Sequence, residues 1–124
     1  QQRVHLARAL CQIGPEPRRS PAALLLDEPV AALDLAERIR ALDLLREIAE
    51  GEVAVFAVLH DLDDAVRVAD RVAVLHDARL VRLGPPGEVL DIALLDRVFG
   101  VRAHVAPAPW DPARPWIGVE GRTR

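Results

Sequence analysis

The sequence contains no lysine, no methionine and no tyrosine, and all of its 16 basic residues are arginine. A phosphate-binding P-loop needs the lysine of its Gly-x-x-x-x-Gly-Lys-Ser/Thr motif to reach the phosphates. The lack of lysine therefore excludes a complete P-loop within these 124 residues. Since methionine is also lacking, we expect that Gln1 is not a translation start and that the sequence is a piece of a longer protein.

Other scarce residues and patterns narrow the class of protein further. The single cysteine, Cys11, excludes an internal disulfide, indicates a reducing compartment and fits a small core residue. The net charge of −3 comes without a basic run, which argues against nucleic acid as a partner. No apolar stretch approaches the roughly 20 residues of a membrane span, and the start shows no signal-peptide pattern. With 51% apolar and 28% charged residues, the chain is expected to be globular.

Two adjacent carboxylates at the end of a short apolar run are the most informative feature of the sequence. Asp27 and Glu28 directly follow a run of leucines. Carboxylates beside a core are unfavourable unless a cation or a reacting group uses them. Asp34 comes shortly afterwards, and His60 stands at the end of a second apolar run. A carboxylate pair, a further acid and a histidine at a strand end, in that order, indicate a phosphate-handling ATPase site.

The pattern around these residues predicts a strand, a helix and a second strand. Ala22 to Leu26 and Val53 to Leu59 are short and apolar on both faces, so each is predicted as a buried strand. Leu35 to Glu50 is predicted as a helix, with Asp34 as its N-cap and Gly51 as its stop. Its apolar stripe consists of Leu35, Ile39, Leu42, Leu45, Ile48 and Ala49. Such a βαβ unit has parallel strands joined by a right-handed crossover.

The rest of the chain is predicted as short elements. In chain order they are a helix from Gln1 to about Ile13, a helix from Asp61 to Ala69, a hairpin of Arg71–Leu75 and Arg79–Leu83 around His76-Asp77-Ala78, short helices around Glu88-Val89-Leu90 and over Ile92–Phe99, and an extended tail from Val101. Asp61 is the expected helix cap, and Asp63 and Asp64 are expected to form a solvated face. Trp110 and Trp116 are expected to pack the tail on the domain.

The order of these motifs resembles an ATP-binding-cassette (ABC) ATPase subunit. The matching segments are Leu24-Leu25-Leu26-Asp27-Glu28-Pro29 for the Walker B strand with its catalytic glutamate, Ala32-Leu33-Asp34 for the D-loop, His60 before Asp61-Leu62 for the switch histidine, and Gln2-Arg3-Val4 with Ala7-Arg8-Ala9-Leu10 for the helix after the Leu-Ser-Gly-Gly signature. The resemblance implies an α/β fold. Residues 1–101 would form the C-terminal part of a P-loop NTPase, with a mainly parallel sheet flanked by helices, and residues 102–124 a Pro-rich extended tail.

Further segments resemble importers of haem, iron–siderophore complexes or cobalamin. They are Leu59-His60-Asp61-Leu62, Ala69-Asp70-Arg71-Val72, Gly84-Pro85-Pro86-Gly87-Glu88-Val89, Leu95-Asp96-Arg97-Val98-Phe99-Gly100-Val101 and, for haem import in particular, Pro115-Trp116-Ile117. One position departs from the family pattern, because Val30 stands where Thr or Ser is usual. We expect the lost hydroxyl to loosen local hydrogen bonding without abolishing catalysis.

The resemblance also implies roles for four residues in binding and hydrolysing ATP. Asp27 would hold Mg²⁺ through a water, and Glu28 would polarise the attacking water as the general base. His60 would contact the γ-phosphate, and Asp34 would reach across a dimer interface to couple two sites. The implied partners are a second ATPase subunit, transmembrane permease subunits and, indirectly, a cargo-binding protein. The implied location is peripheral, on the cytoplasmic face of the inner membrane.

From the residues alone, other interpretations stay open. The Asp27-Glu28 pair also fits a solvated loop start, Asp34 a plain N-cap, and His60 a structural histidine beside a helix start. Gln1 to Arg3 fit either a contact with nucleotide in a partner subunit or a solvent-facing helix start. For function, the alternatives are a non-transport ABC ATPase and a non-catalytic interaction module. Without the P-loop lysine, the piece alone is expected not to hydrolyse ATP.

Overall fold

The computed structural model describes residues 22–51 and 53–123. The predicted helix from Gln1 to about Ile13, which includes Cys11, lies outside these residues. The chain divides into two compact units, Gln1–His60 and Asp61–Arg124, which are described one at a time. Within the described ranges, no helix combines the length and the apolar character needed to cross a bilayer.

The first unit is the predicted βαβ arrangement. Strand β1 spans Ala22–Asp27, helix α1 spans Leu35–Glu50, and strand β2 spans Val53–Val58. The two strands pair in parallel, from Ala22 opposite Val53 to Asp27 opposite Val58, which confirms the predicted orientation. The Asp34 Oδ1 atom accepts a hydrogen bond from the Glu37 backbone N–H at 2.9 Å, so the predicted N-cap is confirmed as well.

The prediction that both strands are buried on both faces is wrong for the described residues. Leu24 is buried on one face of the sheet, but Leu25 is 77% exposed on the other. Phe56, the partner of Leu25 in the register, is 68% exposed. The reason is geometric, because successive side chains of a strand point to opposite faces and one helix covers only one of them. The apolar character of a strand therefore does not tell whether a given chain covers both of its faces.

The predicted apolar stripe of α1 is only partly correct. Leu42 and Leu45 are buried as expected, whereas Leu35 is exposed in the first turn. Ala41, which was not assigned to the stripe, is buried beside Leu42. Side chains at consecutive positions can both reach a core when they flank the centre of the buried face. The buried residues of α1 therefore lie near the middle of its length.

The second unit consists of short elements around one apolar core. They are α2 (Leu62–Val68), β3 (Val72–His76), β4 (Arg79–Gly84), α3 (Pro86–Val89), α4 (Ile92–Leu94) with a π-helical turn (Leu95–Phe99), β5 (Val101–Ala108) and β6 (Asp111–Arg122). The hairpin of β3 and β4 was predicted, and its turn residues Asp77 and Ala78 both have positive φ, at 49° and 58°. Two such residues are typical of the tight turns that match the twist of a hairpin.

Residues beyond Val101 have the predicted extended backbone, but they do not form a free tail. Strands β5 and β6 pair as an antiparallel hairpin. Ala103 and Ile117 from this hairpin lie in the same buried cluster as Leu90 and Leu95. Trp110, which was expected to pack on the domain, is largely exposed. The proline content of this segment therefore does not prevent strand pairing, although proline itself cannot donate to the ladder.

Arg114 attaches the hairpin to the end of α2. Its Nη1 atom donates to the carbonyl oxygens of Val66, at 2.5 Å, and Ala69, at 3.1 Å. Its Nε atom lies 3.3 Å from the Asp111 carboxylate. The last carbonyls of a helix have no partner within the helix, so a cation placed here both satisfies them and interacts favourably with the helix dipole.

Asp64 corrects another expectation. We predicted it to lie with Asp63 on a solvated face of the helix, but it is buried in α2. The cap itself is confirmed, since the Asp61 Oδ1 atom accepts from the Asp63 backbone N–H at 2.9 Å. An acidic helix start therefore combines one residue that caps, one that is exposed and one that is enclosed.

The Arg82–Asp91 pair makes the stability of the second unit fall as the pH becomes acidic. Arg82 Nη1 lies 2.5 Å from Asp91 Oδ2, and Asp91 Oδ1 accepts from the Leu94 backbone N–H at 2.7 Å. The hydrogen bond from Arg82, followed by that from Leu94, lowers the pKa of Asp91 below its ordinary value of 3.8. A lowered pKa contributes stability that is present above the unfolded pKa and is lost as the pH falls through the folded one.

We therefore expect the unfolding midpoint in urea to fall less between about pH 5 and pH 2 for Asp91→Asn than for the wild type. Asp77→Asn, on the hairpin turn, is the control and should keep the wild-type slope, because its carboxylate is 89% exposed and its 3.6 Å pair with His76 is a surface pair that contributes little. Equal slopes for the wild type and Asp91→Asn would contradict the assignment.

Candidate functional site at the carboxyl edge of the parallel strands

The structure brings together Glu28 and His60, two of the predicted site residues. Glu28 follows the last residue of β1, and His60 comes two residues after the end of β2. Because the strands are parallel, their carboxyl ends meet at the same edge of the sheet. Glu28 Oε1 lies 2.5 Å from His60 Nε2, within hydrogen-bond distance. The side chains are 41% and 76% exposed, respectively, so the pair is open to a ligand.

The backbone of Glu28 is held in an unusual conformation. Its φ is 47°, in the left-handed region that residues with a Cβ rarely adopt. The Glu28 N–H donates to the Val58 carbonyl at 3.0 Å, which extends the β1–β2 ladder by one bond. Pro29, which follows, is buried and disfavours the right-handed helical region for the residue before it. This geometry turns the chain out of the strand directly at the carboxylate.

Asp27 is the last residue of β1 and is exposed at the same edge of the sheet. The register places it opposite Val58, on the open face of the sheet. Among residues 22–51 and 53–123, no three His, Cys, Asp or Glu side chains gather as a metal cage. A lone exposed carboxylate fits Mg²⁺, which usually takes one or two carboxylates together with waters and substrate phosphates.

Asp34 lies at the other end of the turn that begins with Glu28. Its side chain caps α1, and its carbonyl accepts the Arg38 N–H at 2.8 Å. Asp34 is exposed, which leaves room for a contact outside this unit as well. Its capping role is thus established in the structure, and the predicted role at a dimer interface stays a prediction.

Sequence reasoning missed how this turn is held in place. Val30 is 5% exposed, although it sits in a surface turn two residues after the catalytic candidate. The sequence did contain a signal, because an apolar residue directly after Glu-Pro is unexpected in a solvated loop. The positive φ of Glu28 had no such signal, since it depends on the bond to the neighbouring strand.

Comparison with known proteins gives a consistent result. No protein-family model matches the chain. The chain is 46% identical over 121 residues to the hemin import ATP-binding protein HmuV of Myxococcus xanthus, covering 98% of the chain and 45% of that protein. It is 44% identical over 108 residues to the protein of the same name from Gloeobacter violaceus, covering 87% and 39%. The chain thus spans less than half the length of these curated relatives.

A solved structure of a metal-chelate type ABC transporter, in an inward-facing conformation, has a similar fold. The TM-score is 0.65 at 25% sequence identity, and the match covers 78% of this chain and 40% of that one. Both the sequence and the fold therefore agree with the resemblance that the motifs indicate. Over the residues that it spans, the chain is similar in sequence and fold to the ATP-binding subunits of ABC transporters.

Proposed function

We propose that the chain is part of the ATP-hydrolysing subunit that drives an ABC importer for haem or another iron chelate. Residues 1–101 form the C-terminal part of the ATPase domain in this proposal, followed by residues 102–124. Support comes from relatives named for hemin import and from the metal-chelate type of the similar transporter structure. In this proposal, the P-loop and the signature belong to residues outside this chain, which spans less than half of each relative.

The contact between Glu28 and His60 is the observation that carries the catalytic assignment. Hydrolysis requires a group that polarises the attacking water and donors that stabilise the charge building up on the γ-phosphate. Glu28 acts as the general base, because its carboxylate lies at the carboxyl edge of the parallel strands, is 41% exposed and can accept a proton. His60 contacts the γ-phosphate through its ring and holds the Glu28 carboxylate through Nε2, which lies 2.5 Å away.

Asp27 and Asp34 complete the proposed site. Asp27 would hold Mg²⁺, which would neutralise phosphate charge when it is bound. Asp34 reaches a second copy of the subunit while its Oδ1 atom keeps the cap on α1. Such a shared site would explain how nucleotide binding closes a pair of subunits and hydrolysis reopens it.

The proposed assembly contains two ATPase subunits, two membrane permease subunits and a cargo-binding protein that acts through the permease. The ATPase subunits lie peripherally on the cytoplasmic face of the inner membrane. No nucleic acid takes part, consistent with the net charge of −3. The 124-residue chain alone turns over no ATP, because it has no lysine to reach the phosphates.

Deleting the gene in the source organism tests the proposed cargo. We expect loss of growth when hemin is the only iron source, and normal growth on a simple ferric salt. The full-length wild-type gene should restore growth on hemin. Normal growth of the deletion strain on hemin and on other iron chelates would favour a non-transport ABC ATPase instead.

A further inference from the structure

The turn that connects Glu28 to Asp34 lies on the surface, but part of it is buried in the interior of its unit. Most of its residues are exposed or half-buried, and only Pro29 and Val30 are buried. Val30 is 5% exposed, as low as the core valine Val74 of the second unit. Two adjacent apolar side chains, those of Pro29 and Val30, thus attach this turn to the interior of its unit.

Backbone hydrogen bonds also restrain the turn. The Ala31 N–H donates to the Glu28 carbonyl at 3.4 Å, and the Leu33 N–H donates to the Val30 carbonyl at 3.2 Å. The first distance lies above the usual N–H···O range of about 2.7–3.2 Å, and the second lies at its upper limit. The Glu28 N–H donates to the Val58 carbonyl at 3.0 Å and fixes the start of the turn, and the Asp34 cap on α1 fixes its end. Between these two ends, the burial of Val30 adds a restraint from the interior of the unit.

The conformation of Glu28 needs a restraint of this kind. A residue with a Cβ at φ 47° is strained and persists only where its surroundings hold it. Val30 is β-branched, with one strongly preferred side-chain rotamer, and its burial resists rotation of the turn. Relaxation of the Glu28 backbone would swing its carboxylate away from His60 Nε2, which lies 2.5 Å from Oε1.

We propose that Val30 is a positioning residue that keeps the Glu28 carboxylate in place beside His60. Val30 does not touch the reacting atoms and acts only through the turn. This inference rests on the proposed function, because it assigns Val30 to the same ATPase reaction. It predicts that a change in the shape of the side chain at position 30 affects turnover more strongly than it affects nucleotide affinity.

Steady-state kinetics of the full-length protein test this role. Val30→Ala is expected to lower kcat about tenfold with KM for MgATP within about twofold, since misplacing a catalytic group costs turnover and leaves binding intact. Val30→Thr keeps the branched shape and should retain kcat within about threefold. Val30→Leu keeps the apolar character but not the shape and should lose about fivefold, which covers the case that Val30→Ala fails to fold.

Two controls separate positioning from general destabilisation. Val74→Ala makes the same change at an equally buried site of the second unit, and it should lower the melting temperature while leaving kcat unchanged. In a Glu28→Gln background, Val30→Ala should lower the residual turnover no further, because the carboxylate that it positions is gone. An unchanged kcat in both Val30→Ala and Val30→Leu would overturn the proposal, as would an equal loss in the Glu28→Gln background. Wild-type turnover of Glu28→Gln itself would instead overturn the proposed function.

Discussion

Glu28→Gln in the full-length protein is expected to lower kcat for ATP hydrolysis about a thousandfold, within the range that general-base catalysis contributes. The amide keeps nearly the same shape as the carboxylate, so the turn and the contact with His60 can persist. It cannot accept the proton of the attacking water. Binding of MgATP should therefore be retained, which a fluorescent nucleotide analogue would measure beside the turnover assay.

Glu50→Gln is the matched control for this prediction. Glu50 is an exposed glutamate at the end of α1, and its carboxylate lies 3.4 Å from Arg46 Nε. Surface pairs of this type contribute little, so the free energy of unfolding should change by no more than about 0.5 kcal/mol. The kcat for ATP hydrolysis should stay at the wild-type value. Turnover near the wild-type rate in Glu28→Gln would remove Glu28 as the base. A loss of nucleotide binding would show that the substitution disturbs the site beyond proton transfer.

Ending the chain at Gly100 is expected to unfold the second unit. The truncation removes Ala103 and Ile117 from the core and exposes the side chains that they cover. It also removes Arg114, whose guanidinium satisfies two carbonyls at the end of α2. Together these losses amount to about 5 kcal/mol, similar to the whole stability of a small domain.

Hydrogen exchange measured by mass spectrometry would test the truncation locally. The amides of β3 and β4 are expected to lose protection when residues 101–124 are absent. Trp110→Ser, at the exposed tip of the hairpin, should keep that protection, and the free energy of unfolding should change by no more than about 0.5 kcal/mol. Full protection in the truncated chain would mean that residues 101–124 are a dispensable tail after all.

The elements around the site could be predicted because local rules specify them. Asp34 caps α1, which spans Leu35–Glu50 as predicted, because a side-chain oxygen before an apolar-periodic run satisfies a free helix N–H. The parallel pairing of β1 and β2 follows from a helix between two short apolar runs. The cap involves residues three positions apart, and the pairing follows from a general rule about strands that are joined by a helix.

Contacts between distant residues needed the tertiary structure. Glu28 and His60 are 32 positions apart, and their contact depends on the register of two strands. The burial of Val30 and the positive φ of Glu28 depend on what lies beneath the turn and on the neighbouring strand. Neither quantity is encoded by a periodic pattern.

The sequence by itself determined the order of the elements between Ala22 and Phe99, the parallel pair and the identity of the chemical groups at its edge. Only the tertiary structure decided that residues after Val101 form a packed hairpin, that Asp64 is enclosed and that Leu25 faces outward. The physical reason is that composition and periodicity report which side chains would gain from burial. Burial itself depends on which other segments of the chain are present to cover them.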